Sequence, residues 1–380
     1  MASMATTVWD RVIGQERAVS LLQRAAERPG HAYLLVGARG SGVEEAARAF
    51  AAAVVAPDGD ERAIDLALRG AHADIVEVDP PANLIRLQDA QQIIDEAYRS
   101  PIEGARKVII LFDAERLNDQ AANKLLKTLE EPPPTALLVL VTAGADQLLA
   151  TIRSRCQRVD FAFLNHDAVR TALIAGGIDS ERADLLARLA GGRLDRARAL
   201  DGRHAAVRDA FVNATSALDG SGAAVASQAE LLQESVKAAV ADLEAAHAVE
   251  TAELEVELEA AGYPERTRRA QMRRLDEHHK RVHRHARTEA LIEGITALET
   301  VYRDALAGAQ DVALNRDRPV LVLDARACAR ALDACRAARQ ALIEHNPNES
   351  LMLERLLLHI PSGTRAPSAK LAPGGDGSAL

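Results

Sequence analysis

Cysteine is scarce: Cys156, Cys328 and Cys335 are the only three in 380 residues. They stand too far apart for a disulfide scaffold or a four-ligand zinc site, and they fit a reducing compartment. Aromatic residues make up only 3% of the chain, and the lean toward Ala, Leu, Arg and Glu predicts that helix dominates. No apolar run nears the roughly 20 residues that a membrane helix needs. The start "MASMATTVWDRV" also lacks the apolar core of a secretion signal, so a cytoplasmic protein with no membrane partner is expected. Positive charge is short as well. A formal net charge of -9 argues against gripping nucleic acid through the overall field, because that affinity comes mainly from cations set against phosphates. A local basic patch stays open.

What is present describes a soluble globular chain of two or three domains, with 48% hydrophobic and 27% charged residues. Five short apolar runs, "HAYLLVG", "ADIVEVD", "KVIILFD", "ALLVLVT" and "QRVDFAF", read as strands. Continuous Val, Ile and Leu of this kind belongs to buried parallel strands. Amphipathic stretches such as "LQDAQQIIDEAYRS" and "NDQAANKLLKTLEE" lie between them, giving an α/β layer over residues 1–163 with a mostly parallel sheet. Asn165 and Ser180 then read as N-caps of short helices, and the glycines at 175–177 and 190–192 as their ends, which outlines a small helical domain over 164–204. A helical region follows over 205–361, and a Pro- and Gly-rich tail over 362–380 reads as disordered. Within the helical region an acidic stretch precedes a basic one. A break at Gly262–Pro264 predicts that the two fold back as an antiparallel pair with opposite charges facing.

The stretch "GARGSGVEEA" joins the first strand to a helix, where a phosphate-binding loop belongs. That loop asks for Gly, four residues, Gly, Lys and then Ser or Thr. Gly37 and Gly42 fit, but Val43 and Glu44 replace the lysine and the hydroxyl. Glu44 and Glu45 also put carboxylates at the positive end of the helix dipole, where a triphosphate would meet repulsion. On the frame alone, an emptied nucleotide loop and a plain strand-to-helix turn both stay open. Asp113 ends a strand where P-loop ATPases keep a magnesium-holding Asp, yet Ala114 follows where hydrolytic members carry Glu, and Glu115 lies one place further on. His279 and His283 stand one turn apart on a basic helix without further ligands, which reads as a solvated face rather than a metal site. Cys328 and Cys335 read as small buried apolar residues.

Two longer motifs give these fragments a context. "LLKTLEEPP" from Leu125 to Pro133 and "LLATIRSRCQ" from Leu148 to Gln157 resemble the ATPase-type subunits of the bacterial DNA polymerase III clamp loader, members of the AAA+ class. "VIGQERAV", "GAHADI" and "AGGRLDRARAL" support the resemblance, which covers about residues 8–204 and continues more weakly beyond. It implies an α/β P-loop AAA+ domain with a parallel sheet, a small helical lid and an all-helical C-terminal collar that holds a ring together. With Val43, Glu44 and Ala114 in the motor positions, and Ser154, Arg155 and Cys156 kept, the pattern resembles the non-motor, delta-prime type.

The resemblance implies that Arg155 is an arginine finger acting in trans on ATP held next door, with Ser154 and Cys156 as its motif neighbours and Arg153 as a weaker candidate. Thr142 and Arg196 match the two sensor positions, whose nucleotide contacts lose their purpose if the loop is empty. The implied partners are gamma/tau-type motor subunits and the delta subunit, and through them the sliding clamp, primer–template DNA and the polymerase. No cofactor is expected on this chain, ATP being bound by the neighbours. Relatives carry a four-cysteine zinc module between the loop helix and the second strand, but "AAAVVAPDGDERAIDLALRGAHADI" has no cysteine, so no zinc is expected. Two rivals are an active AAA+ motor, which Val43, Glu44 and Ala114 oppose, and an adaptor of another AAA+ machine, which "LLKTLEEPP" opposes.

Overall fold

A computed structural model describes residues 8–78, 84–260, 265–344, 347–361 and 364–365. The chain divides into two compact units, Met1–Arg198 and Ala199–Leu380. Among the described residues no helix is long and apolar enough to cross a membrane.

The first unit runs α1 (Glu16–Glu27), β1 (Ala32–Val36), α2 (Val43–Val55), α3 (Glu61–Leu68), β2 (Ile75–Val78), α4 (Leu87–Ala97) and β3 (Lys107–Leu111). It continues with α5 (Asp119–Glu130), β4 (Ala136–Thr142), α6 (Ala150–Arg153), β5 (Gln157–Asp160), α7 (His166–Ala175), α8 (Ser180–Ala190) and α9 (Leu194–Asp201), whose end crosses into the second unit. All five expected strands form, and they pair in parallel in the order β2-β3-β4-β1-β5. Their side chains alternate between two faces. Leu35, Ile110 and Val139 pack under α1, α2 and α3, while Leu34, Ile109 and Leu138 pack under α4, α5 and α6. The central strands β3 and β4 are buried along their whole length, which explains why they read as unbroken apolar runs. The edge strand β5, "QRVD", buries only Val159, so its polar residues blunt an open edge.

The helices expected as a separate lid over 164–204 fall with the α/β layer, inside the first unit as far as Arg198. Asn165 caps α7 by accepting from the Ala168 N–H at 2.7 Å. The cap of α8 sits one residue before the expected Ser180: the Asp179 carboxylate accepts from the Glu181 N–H at 2.9 Å, and Ser180 becomes the first helical residue. An anion there also gains from the helix dipole.

The second unit contains α10 (Ala205–Ala217), α11 (Gly222–Ala239), α12 (Ala241–Ala260), α13 (Glu265–Ala307), β6 (Leu321–Val322), α14 (Ala325–Glu344), α15 (Glu349–His359) and β7 (Thr364–Arg365). Its core gathers Phe211, Leu232, Leu298, Tyr302, Cys328, Cys335 and Leu353, so both cysteines are buried as expected. As expected, the regular structure of this region is helical, apart from one two-residue pairing. Leu321 is drawn into that core, the chain there runs extended, and β6 pairs antiparallel with β7, so Thr364 and Arg365 belong to the fold rather than to the disordered tail. The rest of the expected tail, and the break at Gly262–Pro264, lie outside the described residues. Across the α12–α13 seam, among the described residues, opposite charges meet where Arg268 pairs with Glu259, and His279 reaches Glu250 and His283 reaches Glu244.

In the middle of α13, Gly294 lets the helix approach α10. A Cβ at that position would lie 2.4 Å from the Phe211 ring, a distance no packed core tolerates. Ala in place of a helical Gly ordinarily stabilises by about 0.5–1 kcal/mol. Here we expect Gly294→Ala to destabilise by about 1–3 kcal/mol, the cost of overpacking. Chemical denaturation checks the sign, and Phe211→Leu added to Gly294→Ala should recover part of the loss.

Candidate functional site

The loop after β1 is built from Gly37 to Gly42, and α2 starts at Val43 with Gly42 as its left-handed cap (φ 94°). Val43 points into the core and is 1% exposed, so the lysine position faces away from any ligand. The loop is closed by groups of its own unit. Gln15 donates its side-chain amide to the Ser41 carbonyl at 2.7 Å and to the Ala162 carbonyl at 2.6 Å. The Gly40 N–H is directed at the Glu44 carboxylate at 3.4 Å, and the Gly40 carbonyl accepts from the Leu194 N–H of α9 at 3.0 Å. Asp195 follows so closely that a Cβ at Gly40 would lie 1.6 Å from its Oδ1. Gly40 also has φ 74°, so no other residue takes its place without strain.

Charge at the loop belongs to the protein. The Arg39 guanidinium lies 3.5 Å from Glu44 and 3.3 Å from Asp113, at the end of β3. Arg116 reaches the same Asp113 oxygen at 3.0 Å. Two guanidinium groups thus occupy the carboxylate that would otherwise face a metal ion. Burial works most strongly on Glu44 and raises its pKa; the charges of Glu45 and Asp195 add to this, against the pull of Arg39 and the Gly40 N–H. An anion-binding loop needs open backbone amides and a surplus of positive charge. This one has a carboxylate at its amide and two more acids beside it, and magnesium-bound ATP does not fit the residues present.

Asp113 is the one non-glycine with positive φ among the described residues, at 48°. That conformation costs about 1–2 kcal/mol and turns the chain sharply into Ala114, which is fully buried. Glu115 does not point away, as its offset from the strand end suggested. Thr142, at the end of β4, donates its hydroxyl to Glu115 at 2.7 Å, and its carbonyl accepts from the Gly37 N–H. The first sensor position is therefore tied both to the loop and to the acid beside it. Arg196, at the second sensor position, lies half-buried on α9 next to Asp195.

The turn from α6 to β5 carries Ser154, Arg155 and Cys156. Ser154 donates to the Thr151 carbonyl at 3.1 Å and closes the end of α6. Cys156 packs against the core, and burial pushes its thiol up to about 12, so it serves as an apolar anchor and not as a nucleophile. Held between them, Arg155 stays a third exposed; it donates to the Thr151 carbonyl at 2.8 Å and pairs with Glu130 at the end of α5, in its own chain. Arg153 pairs separately with Asp146 at 3.1 Å. Among the described residues no three His, Cys, Asp or Glu side chains converge to hold a metal ion. Gln15, Arg39, Glu130 and Asp195 all stand inside the motifs read from the sequence, but the contacts that give them their roles join distant parts of the chain and cannot be read there.

A glycine loop after β1, an Asp at the end of β3, a Thr at the end of β4 and the order β2-β3-β4-β1-β5 define a P-loop α/β domain of the AAA+ class. Residues 14–165 match the family described as "DNA polymerase III, delta subunit". Over this region, which is less than half of its length, the chain is similar to the delta and delta-prime family of DNA polymerase III clamp-loader subunits. The tau subunit of Bacillus subtilis (strain 168) is 35% identical over 170 residues, covering 42% of this chain and 30% of its own. The delta-prime subunit of the same organism is 32% identical over 183 residues, covering 46% and 56%. That of Pseudomonas aeruginosa is 36% identical over 135 residues, covering 33% and 41%. The chain thus spans between 30% and 56% of the length of these curated relatives. The crystal structure of a gamma subunit-related protein of Thermotoga maritima aligns with 90% of this chain and 97% of its own, at 20% identity and a TM-score of 0.46.

The crowding at the loop has a sign that stability measurements read. Because the folded pKa of Glu44 lies above its ordinary value of 4.5, its contribution is complete below that value and is lost as pH rises through the raised one. Glu44→Gln should therefore raise the melting temperature at pH 7–8, with the gain shrinking toward zero near pH 4. A melting temperature lowered at pH 7–8 would show that Arg39 and the Gly40 N–H outweigh burial.

Proposed function

We propose that the chain is a non-motor subunit of the DNA polymerase III clamp loader, of the delta-prime type, which presents Arg155 to ATP bound by a neighbouring motor subunit. The observation that carries this reading is a contrast inside one unit. The chain's own loop is closed by Glu44, Arg39 and Asp195, while Arg155 stands on a firmly anchored turn at the surface. A planar, permanently charged fork suits charge that spreads over phosphoryl oxygens. Leaving Glu130 costs little, since an exposed ion pair contributes only about 0–1 kcal/mol. A γ-phosphate offered by a neighbour competes easily with it.

In this role the chain acts as a comparatively rigid member of a ring of related subunits in the cytoplasm. Its neighbours are gamma/tau-type motors and a delta subunit, and through them the sliding clamp and primer–template DNA. The second unit, from Ala199 on, serves as the collar through which the subunits associate. A motor reading has one observation in its favour, the Glu115 carboxylate held 2.7 Å from the Thr142 hydroxyl, close to where a water-polarising acid is needed. The buried Val43 and the pairing of both Glu44 and Asp113 with the chain's own Arg39 speak against it.

Two measurements test the proposal. The purified chain should show no magnesium-dependent ATP turnover; turnover that tracks the protein and disappears in Glu115→Gln would support the motor instead. In a reconstituted complex, Arg155→Ala should leave assembly intact by gel filtration and lower hydrolysis at the neighbouring site, where arginine fingers contribute roughly 10³–10⁵-fold. Arg155→Lys should rescue little, because an ammonium cannot form the fork. Normal turnover in an intact complex rejects the finger, and loss of the complex shows that Arg155 is structural.

A further inference from the structure

The helix α12 is apolar on two opposite sides. The first side faces α13: Leu258 is buried there, the His247 ring stacks on His279 at 4.0 Å, and Glu244, Glu250 and Thr251 reach histidines of α13. The second side carries Ala245, Val249, Ala252 and Val256. All four are exposed, Val249 by 58% and Val256 by 67%. At 100° per residue they lie within an arc of about 60°, and each stands roughly 130–170° from the mean direction of the α13 contacts. At 1.5 Å per residue the row is about 16 Å long.

A surface helix ordinarily turns its charged residues away from its neighbour, and its apolar stripe toward it. In α12 the side away from α13 is apolar as well, which is the pattern of a helix packed between two others. The row follows the 4-3-4 spacing of a coiled-coil seam, with the valines at a, the alanines at d, and Glu253 and Glu255 at the flanking e and g positions. Asp242 and Glu259, the next residues in that spacing, close it at either end. Between Ala241 and Ala260 there are seven acidic residues and no Lys or Arg. Glu244, Glu250 and Glu259 are drawn to α13, while Asp242, Glu253 and Glu255 stand exposed beside the row.

We propose that this face of α12 docks a basic amphipathic helix of a partner protein, with Val249 and Val256 as apolar anchors and with Glu253 and Glu255 selecting Lys or Arg beside them. The inference does not depend on Arg155 or on the state of the nucleotide loop. An apolar centre with a charged rim is the anatomy of a specific interface. Alanine at the d positions lets a partner backbone come close, toward the short end of the roughly 8–10 Å range of helix spacings. Charge then chooses the occupant. A second copy paired through the same face would set two helices without Lys or Arg against each other, and like charges at the flanks weaken such a pair. A helix with cations at those flanks meets the acids instead.

The test uses the full chain and two fluorescein-labelled peptides of about three heptads, alike in carrying Ile and Leu at a and d. One has Lys at every e and g position, the other Glu. Anisotropy at low salt should show the Lys peptide binding at least about tenfold more tightly than the Glu peptide. Val249→Gln combined with Val256→Gln should weaken the Lys peptide at least about tenfold, because the anchors at the centre are lost. Glu253→Lys combined with Glu255→Lys should cut the preference for the Lys peptide at least about fivefold, and this variant stands in should the Gln variant lose helix content by circular dichroism. No binding of the Lys peptide, equal binding of both peptides, or a preference unchanged by the charge reversal each overturns the site. A dimer of the full chain that sedimentation shows to dissociate in the Gln variant assigns the face to a second copy and overturns it too. So does binding of the Lys peptide only after the chain is cut behind Arg365, which makes the chain's own terminal segment the occupant.

Discussion

Where Gly40 meets Leu194 and Asp195, the backbone that a nucleotide would bind is bound by α9 instead. A loop amide faces Glu44, the loop carbonyl accepts from Leu194, and the missing Cβ of Gly40 leaves room for the Asp195 carboxylate. The rest of the first unit follows from this closure. Leu164 donates its N–H to the Gly192 carbonyl, and Gln15 clamps Ser41 to Ala162, so β1, β5, the N-terminal segment and the short helices converge on the loop. In a working P-loop the ligand supplies the anion that organises the helix N-terminus. Here Glu44 supplies it from within, and Arg39 takes the cationic place beside Asp113.

This arrangement separates two arginines by their surroundings. Arg39 is caught between Glu44 and Asp113, beside the buried side of the loop, and its removal would leave acids facing acids. Arg155 has one exposed carboxylate, Glu130, and one carbonyl, Thr151. An ion pair in water contributes little, whereas one shielded from it is costly to break. The two arginine side chains are about equally exposed, at 30% and 33%, so the difference lies in their partners: Glu44 and Asp113 are 21% and 11% exposed, Glu130 48%. The backbone of Arg155 is flanked by Ser154, which closes the end of α6, on one side and by the core packing of Cys156 on the other.

The α/β layer was legible because its evidence is local. Five apolar runs became five strands, and Asn118 and Asn165 cap α5 and α7 where side chains of that kind are expected. The glycine loop and Asp113 were legible as positions, but not as contacts. Nothing near Gly40 announces Asp195, 155 residues later, and the offset of Glu115 concealed its bond to Thr142 because a sharp turn at a left-handed Asp113 redirects the chain. Nothing local in the sequence marks Gly294, since Phe211, the reason for it, lies on another helix. The short pairing of β6 with β7 escaped for a related reason: two residues carry no periodicity, and Leu321 is held extended by burial rather than by propensity.

Net charge speaks only for the field as a whole. The total of -9 argues against gripping nucleic acid through that field and leaves the local pattern of charge open. Charges in water are screened over about 8–10 Å at physiological ionic strength. The charges that count at α13 are therefore those within that distance, among them the exposed Arg266, Arg269, Arg273, Lys280 and Arg284 and the acids Glu265 and Asp276. Folding two oppositely charged stretches into an antiparallel pair could have cancelled them. Among the described residues the seam joins Arg268 to Glu259, His279 to Glu250 and His283 to Glu244 and stacks His247 on His279, so the acidic and basic stretches meet there largely through histidine.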